Sequence, residues 1–326
     1  MRWAVGQFRA PIEDGQALPS VQSLMVDTWF REPDYGDDYR QLHALEQELS
    51  DETPQRPELL SIWRLARDEE YAPWAKSIGV QKCQVSFFGL EEATDWFCRR
   101  TGAFHESVTA TERLLDAGVA PRWQFFLTRK ILPDLPGLMA LAKDLQLRER
   151  VAVLSGAFEL FIHPPGLEGS GRLIEDLVPT MGETAGIPEE LLASSRRHFG
   201  KEALWRTEAE WLRDIMQAED AFPYAYDLPE NLYLFVTPTF DVYSNMGTLE
   251  PWWRLGNLKQ DSPADILARF ENNDTLGLRT VYTVPARTLA AEFGNAQGQR
   301  VYSCQDDLLG LYVGKYCERE YQGRDG

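Results

Sequence analysis

Cysteine is scarce in this chain and widely scattered. The four cysteines, Cys83, Cys98, Cys304 and Cys317, are separated by 15, 206 and 13 positions. That spacing matches neither a compact zinc site nor a disulfide framework, so buried or incidental thiols are expected. Basic residues are also in deficit, with 33 Lys and Arg against 51 Asp and Glu, giving a net charge of −18. Phosphate contacts demand basic surface, and a non-specific nucleic-acid partner is disfavoured on that ground. Local basic corners remain around Arg99 and Arg100 and around Arg129 and Lys130. No apolar run approaches the roughly 20 residues of a membrane-spanning helix. Nor does a charged start followed by an apolar core mark a secretory leader. A cytoplasmic location with no membrane partner is therefore the expectation. Of the four histidines, His43 lies in a charged helical stretch and His105 and His198 in polar surroundings, while His163 sits at a strand end beside Pro164. None has a fixed partner in the sequence, so no hydrolytic constellation stands out; a strand-end histidine beside a loop, as His163 is, has the chemistry of a general base.

What is present is a repeated alternation of strand and helix signals. At 326 residues the chain accommodates one large α/β domain or two smaller ones. The stretch from Lys82 to Leu147 carries the clearest pattern. Cys83, Val85 and Phe87 alternate with Gln84, Ser86 and Phe88 before Gly89, as in a short strand entering a turn. Val108, Thr111, Leu114 and Leu115 then fall at helical spacing, and Gly118 supplies the stop. A strand over 122–127 and a helix over 135–145 follow. Further strands are predicted near 21–29, 59–63 and 158–162, with helices over 38–49 and 68–78. Repeated strand–helix units imply a parallel sheet, either a barrel or an open doubly wound sheet, and periodicity alone leaves that choice open. The Pro- and Gly-rich segment 163–175 reads as a connection, and 188–216 as strongly helical. Beyond a boundary placed near Pro229, LYLFVTPTFDVYSN reads as a two-strand hairpin. A helix opening at Pro263 follows, capped by Asp261 or Ser262, and the chain closes with a helix over 306–317.

Two of these stretches resemble a known family. Val85-Ser86-Phe87-Phe88-Gly89, the Gly-aromatic step Thr101-Gly102-Ala103-Phe104 and the helix ending Leu114-Leu115-Asp116-Ala117-Gly118 are similar to the middle of radical S-adenosylmethionine (radical SAM) enzymes. The order Pro238-Thr239-Phe240-Asp241-Val242-Tyr243-Ser244, then Leu255-Gly256-Asn257-Leu258-Lys259, resembles the auxiliary SPASM or twitch domain of the same superfamily. In that comparison Phe240 stands where the family has Gly, and Ser244 where it has its first cluster cysteine. The resemblance implies an α/β fold: a partial (β/α) TIM-like barrel over 1–229 and a small α+β SPASM/twitch-like domain over 230–326 without cluster cysteines. It also implies S-adenosylmethionine (AdoMet) and a 4Fe–4S cluster as cofactors of a complete member, which would cleave AdoMet for radical modification of a small molecule or peptide.

The family's CxxxCxxC triplet is absent from the sequence. Phe30-Arg31-Glu32-Pro33 resembles the family's GGEP motif with its glycines replaced, which leads to the expectation of a truncated start and of a chain inactive alone. By residue-to-residue resemblance Glu32, Pro33, Ser61 and Ser86 are the cofactor-side candidates, with Arg64 as a guanidinium suited to a carboxylate. For the serines, a strand-end hydroxyl satisfying local backbone is the competing reading. No metal-ligating set is assigned. Two alternatives stay open: a non-catalytic barrel scaffold that binds a peptide or protein, and an unrelated barrel enzyme using strand-end carboxylates.

Overall fold

The computed structural model describes residues 1–9, 23–27, 36–52, 58–154, 156–218, 222–223, 232–244 and 249–323. The chain opens with helix α1 (Arg2–Arg9) and, after a gap in the described residues, α2 (Tyr39–Leu49). The latter is the helix anticipated from its spacing. Its most buried positions are nevertheless Tyr39, His43 and Glu46, and the leucines are only half-covered. The strand predicted near 21–29 is not found in its described part: residues 23–27 join no sheet ladder, and the remainder lies outside the described residues.

The strand predicted over 59–63 is corrected more fully. Residues Ile62–Arg67 form helix α3, and Ser61 is its N-cap, its hydroxyl accepting the Arg64 backbone N–H at 3.2 Å. A serine followed by residues whose amides it can satisfy favours helix initiation over an extended run. Only the beginning of the stretch behaves like a strand, since the Gln84 N–H donates to the Glu58 carbonyl at 2.6 Å. Helix α4 (Tyr71–Ser77) then leads into β1 (Lys82–Phe87).

From β1 the chain follows the expected alternation: α5 (Glu91–Cys98), α6 (Ala103–Asp116), β2 (Ala120–Phe126), α7 (Leu135–Asp144), α8 (Leu147–Ala152) and β3 (Leu160–His163). The three strands pair in parallel in the order β1-β2-β3. This makes the fold α/β, with the parallel sheet three-stranded and unclosed among the described residues. One face is dry. Cys83, Val85, Phe87, Trp123, Phe125, Leu160 and Ile162 are all buried in the first of two hydrophobic clusters. Helix α6 covers β1 and β2 on that side, pinned by the Trp123 indole N–H donating to Thr111 Oγ1 at 3.1 Å. Each fully buried large side chain contributes about 1.5–3 kcal/mol, so this face accounts for much of the sheet's stability. Gly89 ends β1 with φ +148°. A Cβ there would meet Ala93 and Asp134 at 2.5 and 2.6 Å, so the turn requires glycine.

The Pro- and Gly-rich segment after β3 is a connection, as expected. Its tight backbone approach is to itself: a Cβ on Gly171 would lie 2.3 Å from the Gly166 carbonyl oxygen. The long helix predicted over 188–216 is two helices, α9 (Glu189–Phe199) and, after the short strand β4 (Arg206–Thr207), α10 (Glu208–Gln217). Gly200, in the left-handed region, stops α9, and Thr207 and Glu210 form a capping box that starts α10. The predicted hairpin is β5 (Phe235–Val236) and β6 (Asp241–Tyr243), which β7 (Arg254–Asn257) extends to an antiparallel three-stranded sheet. Phe240, standing where the resembled pattern has Gly, has φ +71°, a conformation that favours glycine.

Ser262 caps α11 (Pro263–Glu271), and α12 (Leu276–Thr283), α13 (Ala286–Phe293), β8 (Val301–Tyr302) and α14 (Gln305–Gln322) complete the chain. Strand β8 pairs antiparallel with β4. The second hydrophobic cluster centres on these late elements but also takes in Leu167, Val178, Leu212 and Ile215. The boundary expected near Pro229 falls outside the described residues.

Candidate functional site

The opposite face of the parallel sheet is unlike the dry one. Strand alternation sends Gln84, Ser86, Arg122, Gln124, Phe161 and His163 to it. Strand register places Gln84 beside Arg122, Ser86 beside Gln124, Gln124 beside Phe161, and Phe126 beside His163. A parallel strand covered on both sides reads as a continuous apolar run. Polar residues at alternate positions of β1 and β2 therefore mark a face with work other than packing.

The hydrogen bonds on this face run in one direction. His163 Nδ1 lies 2.6 Å from the Pro164 carbonyl oxygen, which can only accept, so Nδ1 carries the proton. Nε2 is then an acceptor, and it receives the Gln124 side-chain amide. With its nitrogen so fixed, Gln124 turns Oε1 towards β1, accepting from the Ser86 hydroxyl at 3.1 Å and from the Gln84 amide. Arg122 in turn donates to Gln84 Oε1 at 2.8 Å. Burial lowers the His163 pKa, and the nearby His198 adds to this against the bond to Pro164. The imidazole is accordingly neutral at pH 7 with one defined tautomer.

Charge gathers at the amino-terminal edge of the same face. Glu159 pairs with Lys82, lies 3.7 Å from Arg122 and 3.3 Å from His198 Nδ1, and Arg122 also pairs with Glu58. Burial pushes the Glu159 carboxyl up, but the bond to Lys82 and the surrounding positive charges outweigh it and hold the pKa low. His198 is lowered by burial against the pull of Glu159, and its ring stacks on Phe161 at 3.8 Å. Aromatic rings occupy the carboxyl-terminal edge, where Phe88 and Phe126 stack at 5.1 Å and Phe126 meets His163 at 5.2 Å. Ligands of open parallel sheets bind at that carboxyl edge.

The residues singled out from sequence are distributed unequally around this face. Ser86 lies on it. Ser61 is buried as the N-cap of α3, and Arg64 is 4% exposed, held by Asp37 at 3.0 Å and Asp68 at 3.1 Å beneath the Tyr39 ring. Glu32 and Pro33 lie outside the described residues. A shallow cleft of about 350 Å³ borders Arg64, lined also by Asp37, Trp63, Arg67, Asp68 and Glu69. Its arginines are ion-paired to carboxylates, Arg67 with Glu106, which leaves less for a ligand there than on the sheet face. Gln84, Gln124, Phe88 and Phe126 were not assigned to a site from the sequence, although the polar alternation within β1 and β2 was the available signal.

An iron–sulfur cluster does not fit the cysteines of this chain. Thiolates are the ligands such a cluster needs. Cys83 and Cys317 are fully buried in the two separate hydrophobic clusters, and burial pushes their thiols up to about 12 and about 11. Cys304, before α14, is pushed up to about 11 by burial and by Asp307, and Cys98 is exposed on α5. Among the described residues no group of three or more His, Cys, Asp or Glu is placed to hold a metal ion. Ser244, at the position of the resembled cluster cysteine, reaches the Trp253 carbonyl at 3.4 Å.

No family model matches the chain, and no curated protein matches it. Solved structures give a distant likeness. One is described as "Native anSMEcpe with bound AdoMet", at 12% identity over 87% of this chain and 79% of that one, with a TM-score of 0.45. Another is "Native anSMEcpe with bound AdoMet and Cp18Cys peptide", at 12% identity over 88% and 81%, with a TM-score of 0.44. At such identity and TM-scores the likeness transfers neither ligand nor activity to this chain.

Proposed function

We propose that this chain is a radical SAM superfamily protein whose parallel sheet serves as a ligand-binding scaffold, with no 4Fe–4S cluster of its own. The observation that carries the reading is the polar face of β1-β2-β3. Ser86, the candidate within the Val85–Gly89 resemblance, belongs to a directed hydrogen-bond chain ending at His163. Its hydroxyl donates to Gln124 and keeps its own lone pairs for a ligand N–H. The SPASM/twitch-like part of the reading is supported by the hairpin leading to Leu255-Gly256-Asn257 in β7 and by the positive φ of Phe240.

The ligand expected on this face is a small molecule or a peptide. In the resembled family the cluster's open iron holds the amine and carboxylate of AdoMet, and electron transfer into the sulfonium starts the chemistry. This chain lacks the thiolates for that, so binding without AdoMet cleavage is the function the residues support. Anaerobic reconstitution with iron and sulfide tests it. The expected outcome is protein that retains no iron after gel filtration. A stable brown 4Fe–4S chromophore on this chain would overturn the reading.

A further inference from the structure

The rings at the carboxyl edge of the sheet form a longer feature than the site above requires. Trp96 on α5 meets Phe97 edge-on at 4.8 Å, and Phe97 stacks on Phe88 at 4.8 Å. Phe88 stacks on Phe126, Phe126 meets His163, and His163 meets Phe199 of α9 at 5.9 Å. The band thus crosses all three strands and emerges at both ends, with Trp96 51% and Phe199 37% exposed. On the other face of the same strands Phe87 and Phe125 are completely buried, whereas Phe88, Phe97 and Phe126 are only half-buried.

We propose that this band is a track for a peptide segment that carries an aromatic residue next to an acidic one. The inference rests on the reading that this edge of the sheet faces the ligand. Phe88 and Phe126 stand parallel, 6° apart, at about the spacing of neighbouring strands. Their faces therefore look along the sheet and their edges look away from it. Ring edges carry positive partial charge and complement the negative face of another aromatic ring laid across them.

The acidic preference comes from one corner of the band. Lys130 Nζ sits 4.4 Å over the Trp96 ring, and the exposed Arg99 follows three residues after that tryptophan. Neither Lys130 nor Arg99 has a carboxylate within ion-pair distance among the described residues. A carboxylate beside a ring bound against Trp96 would meet Lys130. Single-stranded nucleic acid also uses rings and cations, but it needs a basic groove along its backbone. Here no cation is stacked on the inner rings Phe88, Phe97 and Phe126 among the described residues, and the sheet behind them carries Glu58 and Glu159.

Fluorescence anisotropy with a short fluorescein-labelled Gly/Ser peptide containing one Trp-Asp step tests the proposal on the intact chain. Saturable binding is expected, lost when the peptide Trp is replaced by Ala. Lys130→Glu should weaken it about tenfold, as reversing a steering and pairing charge does. Trp96→Ala, at an exposed position, should weaken it as well, with circular dichroism showing the fold retained. Absence of saturable binding would overturn the proposal. So would an affinity indifferent to loss of the peptide ring or to Lys130→Glu, or tighter binding of a labelled oligothymidylate. The iron–sulfide reconstitution reports on the cluster-free reading and this titration on the band alone, so failure of one is distinguishable from failure of the other.

Discussion

At the scale of single residues, the clearest lesson concerns which polar groups are already satisfied. Arg64 looked like a carboxylate-binding guanidinium in the sequence, and it does bind carboxylates, those of Asp37 and Asp68. His163 had no visible partner because Gln124 lies 39 positions away and meets it only across β2 and β3. Thr128 is the reverse case, fully buried with its hydroxyl unpartnered two residues beyond β2. Leaving such a group unmade costs free energy, so Thr128→Val is expected to be neutral or to stabilise by up to about 1 kcal/mol in urea denaturation. A drop in stability would show that the hydroxyl has a partner. The two sheet-face histidines give a pH prediction. Both imidazoles have folded pKa values below their ordinary 6.5, so the unfolded chain binds the extra protons first as pH falls. Their contribution is complete above about pH 6.5 and declines as the pH drops below it. Urea midpoints across that window should fall less steeply for His163→Gln than for the natural chain.

At the scale of elements, local chemistry decided starts and stops, while the type of one short apolar run was misread. Leu59–Leu65 has the composition of a strand and is long enough for one. The Ser61 cap tips it into helix α3, which packs against α6, and one backbone rung to β1 survives from the extended alternative. Ser61→Ala should therefore destabilise the protein by about 1 kcal/mol, read as a shift of the denaturation midpoint. An unchanged midpoint would mean that packing of Leu60 and Leu65 alone sets the helix. The break between α9 and α10 was hidden for a different reason. Gly200 was visible, but β4 exists only because β8, nearly 100 positions later, supplies its partner. Conversely Lys82–Phe87, Gly118, the hairpin and the Ser262 cap were legible because their signals are contained in a few adjacent residues.

At the scale of the whole molecule, the two hydrophobic clusters meet at strand β8. Val301 belongs to the first and Tyr302 to the second, and both lie in the strand that pairs with β4. Because β8 takes part in both, thermal unfolding followed by tryptophan fluorescence and by far-ultraviolet circular dichroism should give one coincident transition. Two separated transitions would show that the clusters unfold independently. The sequence by itself determined the alternation of strands and helices from β1 to β3, the absence of any cysteine triplet and the acidic balance, because each is a property of composition or short spacing. The tertiary structure alone decided that Gln84, Ser86, Gln124 and His163 form one directed chain, and that six rings from α5 to α9 join into one band. Those contacts run across neighbouring strands, and strand order and register are set by long-range pairing and burial, which no local pattern encodes.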